Sequence, residues 1–232
     1  MTRVFLGRSP DAAEPVSRLL SAAGVDSLCL PLTTSEELSC PDIVSALTAD
    51  WIVLTSARGV SYLLSRGLYP EGRIACVGKA TEHAAREAWG RCEFVAAGTG
   101  ADLARSLPAE PGQHVSYLRS QQADPATAET LRARGLRVAA LDIYRTVPIT
   151  LPEEVALSLH RGEFALCAVW AGSAARSLAA QAPGARTVCF GTPSARVARR
   201  EGLRVLAVAA EQTPRGMADA VLSALGGRPV AN

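Results

Sequence analysis

Six landmarks recur along the chain in the same order and at nearly constant separation, and they restrict the fold more than any other feature. Arg8 and Arg119, Gly24 and Gly135, Ser56 and Ser173, Gly78 and Gly191, Gly90 and Gly202, and Thr99 and Thr213 stand 111 to 117 residues apart. Between these landmarks short apolar runs alternate with helical patterns. A chain of 232 residues built in this way predicts an internal duplication: two similar α/β domains of about 100 residues each. Strands alternating with helices give parallel sheets covered on both faces.

Two segments depart from the alternation. Leu28 to Thr34 and Leu141 to Pro148 are rich in β-branched or aromatic residues and are interrupted by prolines, so both read as extended connectors. Pro148 disfavours the helical region for Val147 and keeps the second one extended. Connectors at matched places predict a two-stranded extended linker, at about 30–35 and 143–148, crossing twice between the domains.

Composition narrows the function classes. A net charge of +2 gives no field for nucleic acid or membrane. The longest apolar run, Phe164 to Ala175, is shorter than the ~18 residues of a membrane span. Val4-Phe5-Leu6 is too short for a signal-peptide core. The six cysteines are scattered without zinc-site spacing, which predicts reduced thiols in a cytoplasmic protein. The tail from Gly226 to Asn232 reads as a frayed terminus.

The repeated chemistry is a strand ending in Gly, Ser or Thr where a helix begins. Ser56, Thr81, Thr99, Ser173, Ser194 and Thr213 all read this way. Such positions offer free backbone N–H groups, hydroxyls and the positive end of a helix dipole, suited to carboxylates or phosphates. At any single site plain N-capping accounts for the residue equally well. Six sites in two halves point instead to a polar face at the carboxyl ends of parallel strands. No GxGxxG follows the first strand and no Walker sequence is present. His83, His114 and His160 are isolated, and no HxxxH or Gly-x-Ser-x-Gly motif occurs. Near the connectors, the polar residues able to move protons are Asp142, Tyr144, Arg145 and Thr146.

The stretch Asp50-Trp51-Ile52-Val53-Leu54-Thr55-Ser56-Ala57-Arg58-Gly59-Val60 resembles the uroporphyrinogen-III synthase family. Ala75-Cys76-Val77-Gly78-Lys79-Ala80-Thr81 does so too, as does Leu131 to Val138 leading to Ile143-Tyr144-Arg145-Thr146. The resemblance implies two α/β domains joined by two antiparallel linker strands, with the active site in the cleft between the domains. One is discontinuous, residues 1–32 with 149–232, and the other covers 35–142. It implies cyclisation of hydroxymethylbilane, a linear tetrapyrrole, by loss of water and inversion of the last pyrrole through a spiro intermediate. Neither a metal nor an organic cofactor is implied, because the substrate supplies its own electrophile as an azafulvene cation. Tyr144 matches the linker tyrosine, an acid for departing hydroxide. The substrate-binding set comprises Arg8, Ser56, Lys79, Thr81, Thr99, Arg119, Ser173, Gly191, Ser194 and Thr213.

Four positions depart from the family pattern. Gly7 precedes Arg8 where threonine is usual, Ser120 and Asp124 replace a Gly and a second Arg, and Gly172 replaces Thr before Ser173. Arg58, Arg176 and Arg196 are the substitutes available for missing anchors. A monomer is expected, with transient contact to the preceding pathway enzyme. The alternatives are a divergent paralogue acting as a tetrapyrrole- or carboxylate-binding module, and a dinucleotide enzyme, which the missing glycine fingerprint disfavours.

Overall fold

The computed structural model describes residues 2–226, so most of the expected frayed tail lies outside the described residues. The chain opens with β1 (Arg3–Leu6), α1 (Pro10–Ala22), β2 (Asp26–Cys29), β3 (Thr33–Glu37) and α2 (Ile43–Ala46). It continues through β4 (Trp51–Leu54), α3 (Ala57–Leu64), β5 (Arg73–Val77), α4 (Gly78–Trp89), β6 (Phe94–Ala96) and α5 (Gly100–Ser106). Then come β7 (His114–Ser120), α6 (Ala126–Ala133), β8 (Arg137–Pro148) and α7 (Glu153–His160). The last elements are β9 (Cys167–Val169), α8 (Gly172–Gln181), β10 (Arg186–Cys189), α9 (Thr192–Arg200), β11 (Arg204–Val208) and α10 (Pro214–Ala224).

These elements form two compact units, one made of the chain up to Thr34 and from Val147 onward, the other of Ser35–Thr146. In the first unit a parallel five-stranded sheet has the order β2-β1-β9-β10-β11. Its buried strands are apolar on both faces, yet the two-residue period still sorts them. Phe5 turns to a core built with α7, α8 and α9, while Val4 and Leu6 turn to one built with α1 and α10. Helices on both faces make the sheet doubly wound.

The second unit holds the order β3-β8-β7-β4-β5-β6. Ile52, Leu54 and Leu118 face α2, α3 and α4, while Val53, Val115 and Tyr117 face α5 and α6. From β8 to β6 the pairs are all parallel. At the β3 edge, the Leu38 N–H donates to Ile143 O and the Ile149 N–H to Leu32 O, each at 2.9 Å. One number falls as the other rises, so β3 and β8 run antiparallel.

The connectors are therefore not free of the sheets. Their β-branched and threonine residues pair into a ladder that continues the second sheet, which satisfies backbone groups an isolated extended segment would leave bare. Both sheets nonetheless share one order of parallel strands, β2-β1-β9-β10-β11 matching β8-β7-β4-β5-β6. Each has one switch point where chain order reverses, between β1 and β9 and between β7 and β4. Ligands of open α/β sheets bind beyond the carboxyl ends of strands at such points.

Two departures from the family pattern have a packing cause. A Cβ on Gly7 would collide with Leu32 Cδ1 and come within 3.1 Å of Ala168 O. A Cβ on Gly172 would lie 2.8 Å from Val197 Cγ2. Leu32 is fully buried, so its side chain fills the space that a threonine at position 7 would need. We expect Gly7→Thr to lower stability by about 1–3 kcal/mol through overpacking, and to cost less when introduced into a Leu32→Ala background than into the unaltered chain. A threonine variant melting at the wild-type temperature would remove this explanation.

Candidate active site

The predicted residues gather at the carboxyl ends of the parallel strands in each unit, and they play unequal roles there. In the second unit, β4 ends at Leu54 and Ser56 caps α3, its Oγ accepting the Arg58 N–H at 3.2 Å. Beyond β6, Thr99 caps α5 in a reciprocal box. The Asp102 N–H donates to Thr99 Oγ1 at 3.3 Å, and the Thr99 N–H and hydroxyl both donate to Asp102 Oδ2 at 2.7 Å. These hydrogen bonds, with Arg105, hold the Asp102 carboxyl below its ordinary value. A carboxylate already occupies the Thr99 hydroxyl, which weakens its standing as an anchor.

Thr81 does not open its helix: it is the fourth residue of α4, only 4% exposed, and Val77 is the N-cap. Gly78, at φ 74°, lets the strand enter the helix without a hydroxyl cap. Lys79 is exposed in that first turn. Arg119 lies near the end of β7, and its Nε donates to Asp142 Oδ1 at 2.8 Å.

In the first unit, Arg8 follows β1 with its guanidinium carbon 5.5 Å from the Trp170 ring centre. Thr213 caps α10, accepting the Gly216 N–H at 3.0 Å. Ser173 and Ser194 are not N-caps. Ser173 is the second residue of α8 after Ala171, and Ser194 is 3% exposed, donating to Gly191 O at 2.8 Å. The same Oγ lies 3.3 Å from the Gly191 amide. The sequence shows hydroxyl residues near each helix start but not which one is in the capping position. That depends on where the strand lets go, a matter of one or two residues.

Tyr144 owes its position to a β-bulge. Arg119 is in register with Asp142, but the next residue, Ser120, is in register with Tyr144, leaving Ile143 as the extra residue. Strict alternation would put Tyr144 on the Asp142 face. The inserted residue instead turns Ile143 and Tyr144 into the same core, beside Leu54 and Leu118. Tyr144 is 8% exposed, and the Arg58 guanidinium carbon lies 6.0 Å from its ring centre. The loop after β7 fixes the backbone: the Gln121 N–H donates to Tyr144 O at 2.8 Å. Gln122 both donates to Thr146 O at 3.1 Å and accepts the Thr146 N–H at 3.0 Å. This amide clamp escaped the sequence reading, because one glutamine in a polar loop carries no pattern.

The other polar connector residues are already committed. Asp142 is tied to Arg119, and Arg145 pairs with Glu36 at 2.8 Å. Among the described residues the Tyr144 phenol has no hydrogen-bond partner, so its proton remains available to a ligand. No group of three or more His, Cys, Asp or Glu among the described residues is placed to hold a metal ion. Burial pushes the Cys189 thiol up to about 11 and Cys167 up to about 12, so neither is a nucleophile at neutral pH.

The sequence model of uroporphyrinogen-III synthase HemD matches residues 14–219. The chain belongs to the uroporphyrinogen-III synthase family. Its members are cyclising lyases that act on a tetrapyrrole in heme biosynthesis, and that is the function of this chain. A mutant uroporphyrinogen III synthase of the extremely thermophilic bacterium Thermus thermophilus has a similar fold, with a TM-score of 0.68 and 23% identity, covering 97% of this chain and 99% of that one. The uroporphyrinogen-III synthetase of Helicobacter pylori gives 0.67 at 13% identity over 96% and 99%. No curated protein matches significantly in sequence. Among the described residues no helix is long and apolar enough to cross a membrane.

Proposed function

We propose that this uroporphyrinogen-III synthase family chain uses Tyr144 to assist departure of hydroxide from hydroxymethylbilane. The observation that carries this is the unengaged phenol, placed by the Ile143 bulge, while the charged side chains of Asp142 and Arg145 are paired with Arg119 and Glu36. A phenol donates one proton, and a loosely bonded leaving hydroxide is the group that needs it. Loss of hydroxide leaves the azafulvene cation, which the chain folds for attack and shields from water.

Substrate carboxylates bind, in this reading, at the strand ends of both units, near Ser56, Lys79, Arg8, Ser173, Gly191 and Thr213. Thr81 and Ser194, being buried, act in shaping those helix starts. Arg119 keeps Asp142 as its partner, which leaves it a positioning residue. The protein works as a cytoplasmic monomer receiving its substrate from the preceding enzyme. The shared strand order supports a duplication in which each sheet combines two strands of one repeat with three of the other.

Thr213→Val tests the anchors. Its hydroxyl caps α10, and loss of a cap lowers stability by ~1 kcal/mol. A lost hydrogen bond to a charged ligand group is worth about 1.5–3 kcal/mol. We therefore expect affinity for uroporphyrinogen III to fall further than folding stability. A variant that melts early but binds normally makes Thr213 a cap and nothing more.

A further inference from the structure

Resting on the cyclising reading above, we propose that Arg58 anchors a side-chain carboxylate of the tetrapyrrole beside Tyr144. Three arginines lie near this end of the six-stranded sheet, and two are already neutralised. Arg119 holds Asp142 and Arg145 holds Glu36, each pair at 2.8 Å. A ligand carboxylate would have to displace a protein carboxylate at either one. Arg58 has no acidic partner among the described residues and is exposed. Lys79 is also without an acid among the described residues, but of the two only Arg58 lies within cation–π range of the tyrosine ring.

The base of the Arg58 side chain is fixed, because Ser56 Oγ accepts its backbone N–H. Its tip lies 6.0 Å from the Tyr144 ring centre, at the edge of the range in which a ring face attracts a cation. The guanidinium thus sits beside the ring with its N–H donors unfilled. Five donors in a planar fork match a carboxylate in two-point contact, which a lysine ammonium cannot reproduce. A carboxylate seated there places its pyrrole next to Tyr144, the tyrosine of the second connector. Arg58 thus binds the ring that Tyr144 acts on.

Steady-state kinetics with hydroxymethylbilane, affinity for uroporphyrinogen III and melting temperature are measured for Arg58→Ala and Arg58→Lys. Loss of one charge-assisted bond predicts a KM raised roughly ten- to a hundredfold in the alanine variant. Product affinity falls by a similar factor, while the melting temperature holds because the side chain is exposed. Lysine recovers part of the loss by keeping the charge without the fork. Unchanged KM and product affinity in Arg58→Ala overturn the proposal, and so does a fall in kcat alone, which makes Arg58 a partner of Tyr144 only. Failure of the unaltered protein to form the type III isomer strikes the parent reading instead, and the product-binding comparison still decides the role of Arg58.

Discussion

Tyr144→Phe is expected to slow cyclisation more than tenfold while leaving folding and product affinity nearly intact. The substitution removes one oxygen and keeps the buried ring, its contact with Arg58 and the backbone bonds from the Gln121 and Gln122 loop. Positioned general acids contribute about 10²–10⁴-fold. The azafulvene forms readily without an enzyme, so the low end of that range applies. Isomer choice follows from how the substrate is folded, so the residual product remains type III. Wild-type turnover in the phenylalanine variant would reduce Tyr144 to a packing residue. Release of mostly type I would mean that the tyrosine controls substrate shape.

Ile143→Ala is expected to have the largest effect on stability. Ile143 is the inserted residue of the bulge and is fully buried among β4, β7 and α3. Its Cδ1 reaches to within 3.8 Å of where a Cβ on Gly59 would stand, at the start of α3. Truncating it leaves a cavity between the bulge and the helix that carries Arg58, and such truncations lower stability by about 2–5 kcal/mol. Urea denaturation followed by tryptophan fluorescence measures the change. A loss under ~1 kcal/mol would show that the bulge packs without this side chain.

The layered architecture was legible because the doubly wound fold repeats one simple alternation. Buried runs such as Trp51 to Leu54 can only be central strands, and Gly24 and Gly135 end their helices at φ 76° and 79°. The connectors were legible by two routes, their extended backbone from composition and their antiparallel pairing from the resemblance. Pairing of Thr33–Glu37 with β8 depends on a partner more than 100 residues away, which local pattern does not encode.

The site divides in the same way. Tyr144 came from resemblance and from being a phenol in a connector. The bulge that aims it involves one unpaired residue, and Ile143 looks like any strand isoleucine. Arg119 read as an anchor because its charge is visible in the sequence. The Asp142 that neutralises it stands 23 residues on, and only parallel registration of β7 with β8 brings the two together. Arg58 is visible in the sequence as a substitute anchor, but its place near the tyrosine ring comes from tertiary packing alone.

The central claim is that this chain imposes the inverted ring closure rather than merely binding tetrapyrroles. Incubation with freshly prepared hydroxymethylbilane, followed by separation of the isomeric products, tests it most directly. The expected product is predominantly type III, formed in proportion to protein concentration and faster than spontaneous closure. Type I alone, at the spontaneous rate, would contradict it.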